Sequence, residues 1–388
     1  MNFTFTSEQE AIGVAVLKLC AGFGDDYWLE KDRTDVWPAD FYKAMADAGW
    51  LGIAMPQEYG GSGLGITEAA IMMQALGESG GGMGAIAAVQ TSIGCMNPLA
   101  AYATPEQKRR MLPPLMQGKD MICFAVTEPD TGLEILKLNT RAVRDKDHYI
   151  ISGRKTWISS AQVADRMLVL ARTTPLADVK QPTEGLTLFH AAFDRKHITA
   201  EVIEKMGHGA VDSNLVTIND LPVPVSDRIG DEGKGYETIL YGLNAERILI
   251  AAGAIGIGKA ALARAATYAR QRVVFDRPIG KNQSIQHPLA ECWMEMQAAN
   301  LMVFRAASLY DEGKPCAAEA NAAKYLAAES AFKTCTRAVM THGGYGYAKE
   351  YHVERYLREI IGSRLAPVTP QMVKCFIAEN VLGLPKSY

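Results

Sequence analysis

The stretch that decides the fold is Gly235–Arg270, GYETILYGLNAERILIAAGAIGIGKAALARAATYAR. It runs 36 residues without a proline and is rich in Ala, Leu and Ile. Apolar side chains recur at Ile239, Leu243, Ile250 and Ile257, a spacing that predicts one long buried helix. Glu246 falls on the same stripe, three residues after Leu243 and four before Ile250. Helical phase therefore points this carboxylate inward with them. Burial strips its hydration, a cost of several kcal/mol unless a partner offsets it, and raises its pKa, which makes a stronger base. Taken alone, the helix also fits a structural Glu246–Arg247 pair at the rim of a bundle.

On either side of this helix the texture differs. Residues 121–234 hold short β-rich runs (MICFAVTEP, HYIISGRKTWIS, RMLVLART, GLTLFHAAF, NLVTINDLPVP) bounded by Gly, Pro, Asp or Asn. Residues 1–120 read as helices, with starts at Thr6-Ser7-Glu8-Gln9 and Thr104-Pro105-Glu106-Gln107 and further helices over 38–48, 66–76 and 85–102. After the long helix come others over 286–311, 317–342 and about 370–382, which predicts an antiparallel bundle. The expected architecture is an α+β multidomain protein: an N-terminal α-helical domain (1–120), a middle antiparallel β domain (121–234) and a C-terminal four-helix bundle (235–388).

Composition narrows the function. At 388 residues, two or three domains with ample core are expected. A formal net charge of −3 leaves no basic footprint for nucleic acid or an anionic membrane. Seven scattered cysteines without a CxxC or Cys/His cluster read as reduced thiols in a cytoplasmic setting, with no metal site. The start MNFTFTSEQEAIG lacks the charged and apolar regions of a signal peptide, and no membrane span is expected. Several glycine patterns are decoys. Gly80-Gly81-Gly82 lacks the Lys and Ser/Thr of a phosphate loop. Gly253, Gly256 and Gly258 lie mid-helix after no strand, which suits close helix packing better than a dinucleotide fingerprint.

Four stretches gather the chemistry. Phe124-Ala-Val-Thr-Glu-Pro-Asp-Thr-Gly132 is a strand running into a turn, with backbone N–H groups and hydroxyls for a flat heteroaromatic ring. In Gly153-Arg-Lys-Thr-Trp157-Ile-Ser159-Ser160, alternation puts Trp157 and Ser159 on one side of a strand. Arg272-Val-Val-Phe275-Asp-Arg-Pro-Ile-Gly-Lys-Asn-Gln283 offers a cation, an aromatic and an amide between two helices. His342-Gly-Gly-Tyr-Gly-Tyr347 is a glycine hairpin that a phosphate can approach closely. Singly, each fits a plain structural role equally well.

Together, in this order and with the start EYGGSGLG, they make the chain resemble the acyl-CoA dehydrogenase family along nearly its full length. The resemblance implies FAD between the β domain and the bundle, a homotetramer or dimer whose subunits complete each other's sites, an acyl-CoA substrate and an electron-transferring flavoprotein as electron acceptor. By position it implies that Phe124, Val126 and Thr127 line the isoalloxazine, with Gly132 and Leu133 at the end of that loop. Trp157 would pack near the ring and Ser159 would place a hydroxyl at N5. Arg272, Phe275 and Gln283 of the next subunit, with Met340, Gly343 and Gly344, would meet the diphosphate and adenine, and Thr369 and Gln371 would touch the nucleotide. Leu243, Asn244 and Arg247 match positions near the thioester and CoA.

Departures from the family pattern sharpen this. Many members carry the catalytic glutamate in a C-terminal Tyr-Glu-Gly-Thr; here Ala366-Pro367-Val368-Thr369 stands there. A minority, isovaleryl-CoA and long-chain dehydrogenases among them, place it in an L-x-x-E-R pattern on the long helix, which here is Leu243-Asn-Ala-Glu246-Arg247. The resemblance therefore assigns Glu246 as the base. Pro367 lacks the N–H that this position donates to the thioester carbonyl in relatives. Leu133 stands where Ser is usual, and Met340 where Gln is usual. Two other functions fit the same fold: a non-oxidative acyl-CoA lyase such as a desulfinase, whose known members lack the glutamate, and a non-catalytic flavin- or acyl-CoA-binding protein.

Overall fold

The computed structural model describes residues 4–387; the first three residues of the MNFTFT start and Tyr388 lie outside it. Six helices come first: α1 (Ser7–Cys20), α2 (Asp25–Thr34), α3 (Ala39–Asp47), α4 (Ile66–Leu76), α5 (Gly82–Tyr102) and α6 (Pro105–Met116). Two starts are capping boxes. Gln9 N–H donates to Thr6 Oγ1, and Thr6 N–H donates back to the Gln9 carboxamide oxygen. Thr104 and Gln107 repeat the pattern, with Pro105 in the first turn. Periodicity does not mark α2, because DDYWLEKDRT buries only Trp28. The triglycine is a helix connection, with Gly80 and Gly82 at φ 96° and 61°.

Eight strands follow: β1 (Ile122–Ala125), β2 (Arg141–Asp145), β3 (His148–Ser159), β4 (Arg166–Arg172), β5 (Leu186–Ala192), β6 (Ile198–Val202), β7 (Ser213–Pro224) and β8 (Arg228–Ile229). They form one sheet in the order β6-β7-β3-β2-β4-β5-β8, with β1 beside β4. The pairing is antiparallel except where β1 and β2 meet β4. β3 slips register against β7 between Lys155 and Ile158, a bulge that matters at the site.

The rest is helical: α7 (Gly235–Gln271), α8 (Gln283–Asp311), α9 (Ala317–His342), α10 (Val353–Leu365) and α11 (Pro370–Asn380). The bundle consists of α7 to α10, and α11 lies on α9. The sequence pattern marks α7, α8, α9 and α11 but not α10. The face that α10 buries carries Arg355 and Glu359 as well as Tyr356 and Ile360, so its apolar period is broken. Those charges are partnered: Arg355 donates to Gly80 O at 2.6 Å, with only its Nε left bare, and Glu359 accepts Met83 N–H at 2.7 Å.

One apolar core joins the N-terminal helices to the bundle, with α7 running through it. A second lies within the sheet around Tyr149, Met167 and Phe189, and a third between α5, α6 and the sheet around Leu112, Leu168 and Leu188. By length and composition α7 is apolar enough to cross a membrane, but 78% of its most apolar window is buried inside the protein. Its glycines serve close packing. A Cβ on Gly256 would lie 2.1 Å from Gln74 O on α4, and one on Gly258 would lie 2.5 Å from Met296 Sδ on α8.

Candidate active site

Glu246 sits in the first half of α7, where the chain turns from half-open to wholly buried. Leu243, Asn244, Glu246 and Arg247 keep partial solvent contact, whereas Ile248 to Gly258 are buried. Among the described residues the Glu246 carboxylate has no hydrogen-bond or ion-pair partner. Arg247 does not pair with it; its guanidinium donates to Asn244 Oδ1 at 2.9 Å. That removes the structural-pair reading of this helix. Burial pushes the Glu246 carboxyl up to about 7, and the charge of Arg247 only partly opposes this. The Arg247 Nε is buried without a partner. Nearby, Lys324 of α9 donates to the carbonyls of Arg364 and Val368 and so ties down the loop that carries Pro367.

The loop after β1 and the bulge of β3 come together, as their spacing implies. Thr156 N–H donates to Thr127 O at 2.9 Å. Phe124, Val126, Thr127 and Ser159 are half-buried, and Gly132 and Leu133 are exposed. Trp157 is 59% exposed and sits at φ 60°, a left-handed conformation that a bulky residue rarely adopts. Phe124 and Val126 pack against the core that holds Cys95 and Ile239, two helical turns before Glu246 on α7.

Arg272, Phe275, Gln283, Met340, Gly343 and Gly344 gather at the far end of the bundle. Val273-Val274 pairs with Arg277-Pro278, and Phe275 at the tip is 92% exposed. Arg272 lies over the Tyr345 ring at 5.8 Å. Residues 343–347 form a 3-10 turn rather than a hairpin, with Gly343 at φ 61° and open space where Cβ atoms of Gly343 and Gly344 would stand. Gln283 and Met340 are exposed beside them. Gln371 is exposed in the first turn of α11, and Thr369 caps that helix by accepting the Met372 N–H at 3.3 Å.

Sequence comparison agrees with this geometry. Residues 6–119, 123–221 and 233–381 match the N-terminal, middle and C-terminal domains of acyl-CoA dehydrogenase. The acyl-CoA dehydrogenase FadE12 of Mycobacterium tuberculosis is 34% identical over 389 residues, 100% of this chain and 99% of its own. The chain belongs to the acyl-CoA dehydrogenase family. Butyryl-CoA dehydrogenase from Megasphaera elsdenii shares the fold with a TM-score of 0.93 and 29% identity, covering 98% of this chain and all of its own. The FAD complex of PigA matches with a TM-score of 0.92 and 26% identity, over 98% and 99% of the two chains.

FAD is the cofactor of this acyl-CoA dehydrogenase fold, and the residues present suit it. Trp157 offers a flat apolar face to the outside, and Thr131 Oγ1, buried at the turn of the loop after β1, lacks a hydrogen-bond partner within the protein. Two contributions escaped the motif reading. On α5 the half-open positions Ala87, Gln90, Thr91 and Gly94 form a stripe on an otherwise buried helix. Their small or polar character at i, i+3, i+4, i+7 spacing was the available signal. The other is Lys155, which in a strand looks like a surface residue and is instead fully buried.

Proposed function

We propose that the protein oxidises an acyl-CoA thioester to the trans-2-enoyl-CoA, with Glu246 as the base that removes the α-proton. The observation that carries this reading is a half-buried carboxylate on the inward stripe of α7 with no hydrogen-bond or ion-pair partner among the described residues, whose pKa burial pushes up to about 7. A group of that kind exchanges a proton at working pH, whereas a structural carboxylate is kept charged by its neighbours. FAD held there would supply the acceptor for the β-hydrogen, which would leave as hydride. The chain's own part is to hold the ring with Phe124, Val126, Thr127, Trp157 and Ser159, to shut water out with the α5–α7 packing, and to keep Glu246 ready beside the acyl chain. Asn244 and Arg247 would face the thioester end. The α5 stripe ending at Gly94 would wall the acyl pocket, since beyond its own turn of helix no atom lies within 4 Å of where a Gly94 Cβ would stand.

The same reading takes the active form to be a homotetramer or dimer, with an electron-transferring flavoprotein as acceptor. Glu246 and Arg272 stand about 39 Å apart along α7 at 1.5 Å per residue. One FAD cannot reach from the first to the second, so the bundle-end residues suit a neighbour's cofactor.

The test is an anaerobic titration of the holoprotein with straight, branched and short acyl-CoAs, followed through flavin absorbance beside Glu246→Gln. Rapid bleaching of the native protein and none of the variant is expected. Flavin that no acyl-CoA bleaches would overturn the dehydrogenase reading in favour of a lyase or a binding protein. Equal bleaching of both proteins would remove Glu246 from the role of base.

A further inference from the structure

Lys155 precedes Trp157 by two residues on β3, and simple alternation would put both on the same face. The bulge between Lys155 and Ile158 separates them: Trp157 faces out, while Lys155 is 0% exposed. The buried ammonium donates to Glu128 Oε1 at 3.0 Å and to the Val126 carbonyl at 2.9 Å. Glu128, 5% exposed, also accepts the N–H groups of Asn139 at 2.6 Å and Thr140 at 2.8 Å. An ion pair so deep gives little net stability compared with apolar side chains of the same volume. The ammonium's second bond, to Val126 O, points to another use.

We propose that Lys155 is a positioning residue for the flavin: held by Glu128, its ammonium draws the Val126 carbonyl inward and thereby aims the Thr127 N–H toward the isoalloxazine. The lever is the peptide plane. Val126 C=O and Thr127 N–H belong to one trans peptide and point in opposite directions, so fixing the first fixes the second. The next peptide is held too, because Thr127 O accepts the Thr156 N–H from the bulge beside Trp157. One buried cation thus sets both the loop that lines the ring and its register with the strand that presents the indole. This inference rests on FAD binding alone and not on the role of Glu246, so its test needs no acyl-CoA.

The experiment compares native protein with Glu128→Gln, Lys155→Met and the double variant Lys155→Met/Glu128→Gln. The thermal midpoint, FAD dissociation constant of the reconstituted apoprotein, and flavin midpoint potential are measured for each. Lys155→Met strands a buried carboxylate and should melt early; the double variant removes that charge and should regain most of the loss. If Lys155 positions the ring, both variants lacking it still bind FAD about tenfold more weakly, the size of one lost hydrogen bond, with a lowered flavin potential. Glu128→Gln keeps the Lys155–Val126 bond and should stay near native in both cofactor readouts. Recovery of FAD affinity and potential together with stability in the double variant would overturn the proposal. So would a cofactor defect in Glu128→Gln as large as in Lys155→Met, a comparison that also decides the matter if the double variant does not fold.

Discussion

Two glutamates, one buried and one half-buried, are treated in opposite ways in this molecule. At Glu128 burial pushes the pKa up, but Lys155 and two backbone N–H groups outweigh it and hold the carboxyl below its ordinary value. At Glu246 burial acts with no hydrogen bond to oppose it, and the carboxyl rises to about 7. Lys155 is itself pulled down to about 8 by burial, which leaves it charged at neutral pH. Both residues are in motifs legible in the sequence, and neither motif alone tells strut from base. The difference lies in how many donors the fold brings to each carboxylate.

The comparison breaks most sharply through activity. Glu246→Gln should slow flavin reduction by acyl-CoA by 10²–10⁴-fold, the usual reach of a general base, measured by stopped flow. A native-like rate would make Glu246 as structural as Glu128. In the other direction, Glu128→Leu should cost about 3–5 kcal/mol by stranding the Lys155 ammonium, read as a lower denaturant midpoint. A neutral result there would mean that Lys155 finds another partner or solvent.

The pH dependence of stability has opposite sign at the two sites. The folded state binds the Glu246 proton more tightly than the unfolded chain does, so its contribution is full below the ordinary value of 4.5 and lost as pH rises through about 7. Glu246→Gln should therefore be more stable than native at pH 8, by ~3 kcal/mol at most, with the gap closing below pH 4.5. Glu128 contributes above 4.5 and loses that contribution as pH falls through its lowered pKa. The same titration of Glu246 should give kcat/KM a rising limb centred near pH 7. A smaller effect is expected at the acyl wall. Gly94→Leu should lower kcat/KM for long acyl-CoAs relative to short ones by roughly tenfold, and an unchanged ratio would take the α5 stripe out of the pocket.

Much of this could be read before folding. The phase of Glu246 on α7, both capping boxes and the helix-packing role of Gly256 follow from spacing alone. What escaped has a common cause in tertiary context. α10 hides its period because Arg355 and Glu359 take core positions only where Gly80, Gly81 and Met83 stand ready to pair with them. α2 has one buried residue and hence no stripe. Lys155 stays hidden in its own motif because strand alternation says nothing of a bulge set by the partner strand. The isolation of Glu246 from Arg247 was equally unreadable, since it depends on the guanidinium turning back to Asn244.

The contact of α4 with α7 has a consequence for how the chain is made. The backbone at Gly77 meets that of Gly253 and Gly256, nearly 180 residues later. At 5–20 residues per second, α4 waits roughly 10–35 s on the ribosome before its counterpart is synthesised. Meanwhile the side chains of Ala69, Met72, Met73 and Leu76, all buried in the finished protein, lack the share of their cover that α7 provides. The first third of the chain is thus born as half of a core, and its safe passage through translation depends on how soon α7 arrives.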